Sequence, residues 1–155
     1  MRKNNTLMIT MIAVMMLFFV TTSQSKAGND TVTSKDVKAE TKEMISTLQQ
    51  YTIDQRDQAM KDAEQAMDTI DARIDALESR VDNNWDKMTQ AAREEARANL
   101  KALRQQRNDL SEWYGSFKNS SADAWEQMKK GFSDAYQVLS DSWEKAKSEY
   151  DSEKK

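Results

Sequence analysis

From Met60 onward, apolar side chains recur every three or four residues: Met60, Ala63, Met67, Ile70, Ile74, Leu77 and Val81. Helical residues advance by about 100° each, so this spacing collects them on one side of an α-helix. The stripe slips back by about 20° per heptad, a drift that a left-handed supercoil absorbs. It resumes at Trp85, Met88, Ala92, Ala96, Leu100, Leu103 and Leu110, where steps of four outnumber steps of three. The clearest stripe comes last. Trp125, Met128, Phe132, Tyr136, Leu139, Trp143, Ala146 and Tyr150 share an arc of about 80° on a helical projection. Lys130, Asp134, Asp141, Lys145 and Ser148 face the other way. The pattern predicts helix over 34–150.

Two places interrupt it. Gly115 is a poor helix former, and Asn119-Ser120-Ser121 behind it offers turn and capping residues. Ser120 with Asp123 resembles a capping box. At Asp82-Asn83-Asn84 the hydrophobic phase jumps from Val81 to Trp85, and all three residues favour turns or caps. A turn there gives three long helices. A stutter there leaves one helix of more than about 80 residues that folds back once. The expected fold is therefore all-α: an elongated antiparallel bundle or coiled coil of two or three long helices, with breaks near 82–85 and 115–121. Thr33 with Asp36 forms a start cap. Residues 28–33 are expected to be a disordered lead-in, and 151–155 a tail.

The first 27 residues follow a different pattern. Arg2 and Lys3 precede Leu7 to Val20, in which only Thr10 is polar, and Ser25 and Ala27 are small. This is the pattern of a secretory signal peptide with cleavage before Gly28. The expected destination is outside the cytoplasm, most simply the periplasm. The alternative is an uncleaved anchor at 7–20, although that segment is shorter than the ~20 residues that span a bilayer. Removing the leader takes away Arg2, Lys3 and Lys26 and no acid, so the net charge falls from −3 to −6.

Composition narrows the chemistry. The chain of 155 residues has no cysteine, no histidine, no proline and only three glycines. Thiolate and imidazole catalysis, zinc ribbons and disulfides are excluded. A phosphate-cradling loop needs glycines that are not there. The methionines Met44, Met60, Met67, Met88 and Met128 could offer thioethers to Cu(I), but Met60 and Met67 lie one heptad apart on the apolar stripe, as core residues do. Asp68, Asp71 and Asp75 share a helix face, and Glu94 and Glu95 are adjacent. Interspersed lysines and arginines make these a solvated face. No catalytic, cofactor or metal residue is expected, and the chain is not expected to be an enzyme. The net negative charge argues against nucleic acid, whose binding needs clustered cations.

The aromatic residues gather late in the chain, between Trp113 and Tyr150. The candidate interaction stripe is Trp125, Met128, Phe132, Tyr136, Leu139, Trp143 and Tyr150. It predicts a helix–helix interface, within the chain, by self-association or with a protein partner. The competing reading is a lipid surface, because Tyr and Trp favour membrane interfaces and the pairs 125/136, 132/143 and 139/150 repeat every 11 residues. A holdase for unfolded clients is a further alternative.

The segments LKALRQQRNDL and SFKNSSADAWEQMKKGFSDAYQVLSDSWEKAKSEY resemble a family of bacterial stress-associated, apolipoprotein-like coiled-coil proteins. The matching positions are Asp123, Ala124, Trp125, Lys130, Gly131, Ala135 and Leu139, with Ile70, Ile74 and Leu77 similar to earlier heptads. The likeness covers roughly the last 100 residues. It implies a non-enzymatic helical protein linked to stress and assigns no catalytic residue.

Overall fold

The structure is a computed structural model, and it describes residues 34–152. The expected leader, its apolar segment 7–20, the lead-in with Thr33, and residues 153–155 lie outside the described residues. Among the described residues the fold is all-α. Four helices pack against one another: α1 (Ser34–Gln50), α2 (Arg56–Asn84), α3 (Gln90–Lys118) and α4 (Trp125–Ser152). No described helix is long and apolar enough to cross a membrane.

Four helices replace the expected two or three because the chain turns once more than its pattern indicates. The break near 82–85 is a turn. α2 ends at Asn84, a 3-10 turn spans Trp85–Lys87, and Thr89 starts α3 by accepting a hydrogen bond from the Ala92 N–H at 3.2 Å. The later break falls at 119–124, so α3 runs straight through Gly115. Ser121, not Ser120, accepts from the Ala124 N–H, at 3.3 Å. Ser120 instead donates to the Phe117 carbonyl and closes the end of α3.

The unforeseen turn is Tyr51–Gln55, which contains neither glycine nor proline. Other groups take over the role of a helix breaker there. Tyr51 donates its hydroxyl to Asp62 at 2.6 Å. The Gln55 side chain accepts from the Thr52 N–H at 3.1 Å. Lys129 of α4 donates to the carbonyls of Gln49 and Tyr51, at 3.2 and 2.8 Å, and so caps the C-terminal end of α1 from across the bundle. A cation suits that end because the last carbonyls are unpaired and the helix dipole is negative there. One local signal was present: Thr52-x-x-Gln55 ahead of an apolar run is a helix-start pattern.

Consecutive helices run antiparallel. Arg73 of α2 reaches Glu40 of α1, Arg107 of α3 reaches Asp71 of α2, and Asn99 of α3 reaches Glu149 of α4. α4 packs against each of the other three helices. The α2 stripe from Met60 to Val81 is buried throughout, and Leu103, Leu110 and Phe117 of α3 are buried with it. Near the 119–124 turn, Phe117 lies 4.7 Å from Trp125 and 5.9 Å from Phe132 between ring centroids.

The two described glycines play opposite roles. A Cβ on Gly115 would meet nothing within 4 Å. A Cβ on Gly131 would lie 2.2 Å from Cζ3 of Trp113, whose ring crosses α4 at that point. Gly131 is therefore the notch that lets Trp113 pack onto α4. Gly115→Ala should raise stability by about 1 kcal/mol, the helix-propensity difference. Gly131→Ala should lose that gain or reverse it, and recover it in a Trp113→Ala background. Urea unfolding of the four variants checks this, and equal effects of Gly131→Ala in both backgrounds would refute the notch.

Candidate interaction surface

The stripe proposed from sequence is placed inside the chain's own bundle. Trp125, Phe132, Tyr136, Leu139, Trp143 and Tyr150 are buried, and Met128 is half-buried against the same core. Large aromatics carry polar tips that need partners once buried. Here α2 supplies them. The Trp143 indole donates to the Arg73 carbonyl at 2.9 Å, and the Tyr150 hydroxyl donates to the Arg80 carbonyl at 2.7 Å. The guanidinium groups of the same two arginines stand over the same two rings, at 5.9 and 4.9 Å from the centroids. Each arginine thus offers its backbone oxygen to the polar tip and its cation to the ring face. The two rungs are one heptad apart on both helices, so α2 and α4 run parallel in a single register. Nearer the other end, Arg56 stands over Trp125 and hydrogen-bonds the carbonyl of Ser120.

A second surface of α4 was not anticipated. Lys129, Ser133, Ser140 and Glu144 are polar yet buried. They follow one another at helical spacing, and Lys129, Ser140 and Glu144 make their contacts with α1 or the turn after it. Thr41 of α1, itself buried, lies 2.7 Å from Ser140, hydroxyl to hydroxyl. Glu144 pairs with Lys38 at 3.2 Å, while its other oxygen, Oε1, is buried without a hydrogen-bond partner. Serines and a lysine in a charge-rich sequence look like solvated positions; here Lys129, Ser140 and Glu144 meet α1 or its turn, and Ser133 donates to the Lys129 carbonyl of its own helix.

The outer face is mostly polar. Trp113 and Val138 are exposed, at 38% and 53%, and line a shallow groove with Gly131 and Ala135 along the α3–α4 boundary. The guanidinium groups of Arg93 and Arg97 both stand over the Trp85 ring, at 5.4 and 4.4 Å from its centroid. Asp71 is tied to Arg107, whereas Asp68, Asp75, Glu94 and Glu95 are exposed. Met60 and Met67 are buried in the core, and Met44, Met88 and Met128 pack at its edge. Among the described residues no three or more acidic side chains converge as metal ligands would.

Burial and the Asp62 carboxylate push the Tyr51 hydroxyl from 10.0 up to about 12. Burial also raises Tyr114 and Tyr136. Burial acts to raise the Asp151 carboxyl as well, but Lys147 and Arg80 outweigh it and hold that group below the ordinary carboxylate range. The folded chain holds the Tyr51 proton more tightly than the unfolded chain does. The stability linked to it is complete below pH 10 and fades as the pH rises toward 12. Tyr51→Phe should therefore flatten the loss of stability between pH 10 and 12 and remove the latest phase of phenolate absorbance. Persistence of that late phase in the variant would assign it to another tyrosine.

No protein-family model, curated protein or solved structure matches this chain.

Proposed function

We propose that this chain is an exported, non-enzymatic helical protein with a structural or protein-interaction role, acting in the periplasm and in response to envelope stress. The observation that carries the interaction reading is the use made of α4. Its aromatic stripe serves helix–helix contacts: Trp143 and Tyr150 donate to backbone carbonyls of α2, and Trp125 donates to the Tyr51 carbonyl in the turn before it. Side chains committed in that way build a scaffold. Export is supported by the leader pattern in residues 1–27, and the stress link by the family resemblance of the last 100 or so residues. The heptad repeat of the Arg73–Trp143 and Arg80–Tyr150 rungs favours coiled-coil packing between α2 and α4. The absence of cysteine and histidine from the sequence supports a role without thiolate or imidazole chemistry.

The rival reading, a lipid surface formed by residues 121–150, requires α4 to leave α2 and α3 and expose its rings. Vesicles separate the two readings. With neutral or anionic vesicles added, tryptophan emission should stay where it was and the protein should remain in the supernatant. A blue shift together with co-sedimentation would establish the lipid surface and overturn the scaffold.

A further inference from the structure

The Tyr51–Gln55 turn is a fold-back that the chain does not need. The residues Tyr-Thr-Ile-Asp-Gln are all able to continue a helix. Thr52, Gln55 and Arg56 have φ of −85°, −102° and −48°, so none of them is held in a conformation that only a turn residue accepts. The buried positions of α1 (Val37, Thr41 and Leu48) continue in phase with one edge of the wider buried stripe of α2, the edge formed by Ala59, Ala66, Ile70 and Leu77. Leu48 and Ala59 are 11 residues apart, which leaves them about 20° from alignment on a continuous helix. Straightened through the turn, residues 34–84 would form one helix of about 77 Å at 1.5 Å per residue. Its buried stripe would pass from Leu48 to Ala59 through Thr52 and Gln55.

We infer that α1 exchanges between two copies of this chain, each copy's α1 docking on the polar stripe of the other copy's α4. The geometry is compatible with a two-fold axis. α1 lies antiparallel to both α2 and α4, so two straightened α1–α2 helices can pair antiparallel, cross at their hinges and rebuild the Lys38–Glu144, Glu40–Arg73 and Thr41–Ser140 contacts with the partner. Such an exchange keeps the interface chemistry and changes only the hinge. The stripe suits a docking element that comes and goes. Lys129, Ser140 and Glu144 lose their α1 partners when α1 lifts, and water satisfies them, whereas an apolar stripe would resist exposure. In the straight helix the carbonyls of Gln49 and Tyr51 receive helical N–H groups in place of Lys129. Lys129 and the Tyr51–Asp62 hydrogen bond are therefore latches that favour the closed single chain.

This deepens the self-association part of the proposed function, and it has a direct test because the chain contains no cysteine. Thr41→Cys with Ser140→Cys places two thiols where the hydroxyls now lie 2.7 Å apart. The purified protein is unfolded in urea, refolded at micromolar and at near-millimolar concentration, oxidised, and run on a non-reducing gel. The covalent dimer should rise severalfold at the higher concentration. It should rise further when Thr52→Ala and Ile53→Ala straighten the hinge or when Lys129→Gln releases the latch, and fall with Asp54→Gly. Cross-links confined to single chains at every concentration, with or without a dimer in solution, overturn the exchange. A dimer of that kind forms through another surface and leaves self-association itself standing. If the cysteine pair disturbs folding, sedimentation equilibrium of the hinge variants decides alone, and equal dimer shares in Thr52→Ala/Ile53→Ala and Asp54→Gly overturn the inference.

Discussion

The fold depends on the polar tips of the large aromatic side chains of α4. A buried indole N–H or phenol O–H without an acceptor costs about 1–3 kcal/mol. Trp143 and Tyr150 therefore cannot slide along α2. Each must reach a backbone carbonyl, and the carbonyls of Arg73 and Arg80 are the ones in reach. Carbonyl oxygens have a second lone pair free after the helical bond is made. The same arginines then cover the rings. One register between α2 and α4 follows, and α3 is held against both by Asp71–Arg107 and Asn99–Glu149.

α4 has two different faces. The aromatic face is committed to α2 and α3. The face toward α1 is built from serines, a lysine and a glutamate, with the Thr41–Ser140 hydroxyl pair at its centre. Such contacts contribute little net stability, because each replaces a good hydrogen bond to water. Their value lies in register and orientation. They make α1 the helix held mainly by polar contacts to α4, while Val37 and Leu48 supply its apolar anchors.

The arrangement bears on how a helical protein of this kind meets other molecules. Rings that look available on a helical projection are committed inside the bundle. Among the large hydrophobic side chains, Trp113 and Val138 are the ones exposed in the described residues. Trp113 is itself seated over Gly131. A protein so arranged presents a mixed-charge surface, and the polar face of α4 matters as much as the aromatic one.

Helix content was legible from periodicity alone, because burial on one side of a 3.6-residue repeat leaves its mark in the order of residues. The stripes of α2 and α4 were read almost residue by residue, whereas at 82–85 the sequence left a turn and a stutter open, and the turn follows Asn84. The turn at Tyr51–Gln55 left one local mark, the Thr52-x-x-Gln55 pair. The other groups that stabilise it sit on Asp62, Trp125 and Lys129 and reach it only through packing. The enclosure of Ser140 and Glu144 was hidden for the same reason, since their partners Thr41 and Lys38 arrive only once α1 has folded back. The sequence by itself determined which residues are helical and which side of each helix is apolar. Tertiary structure alone decided the reversal at Tyr51–Gln55 and which polar residues are enclosed, because both depend on partners brought together only by packing.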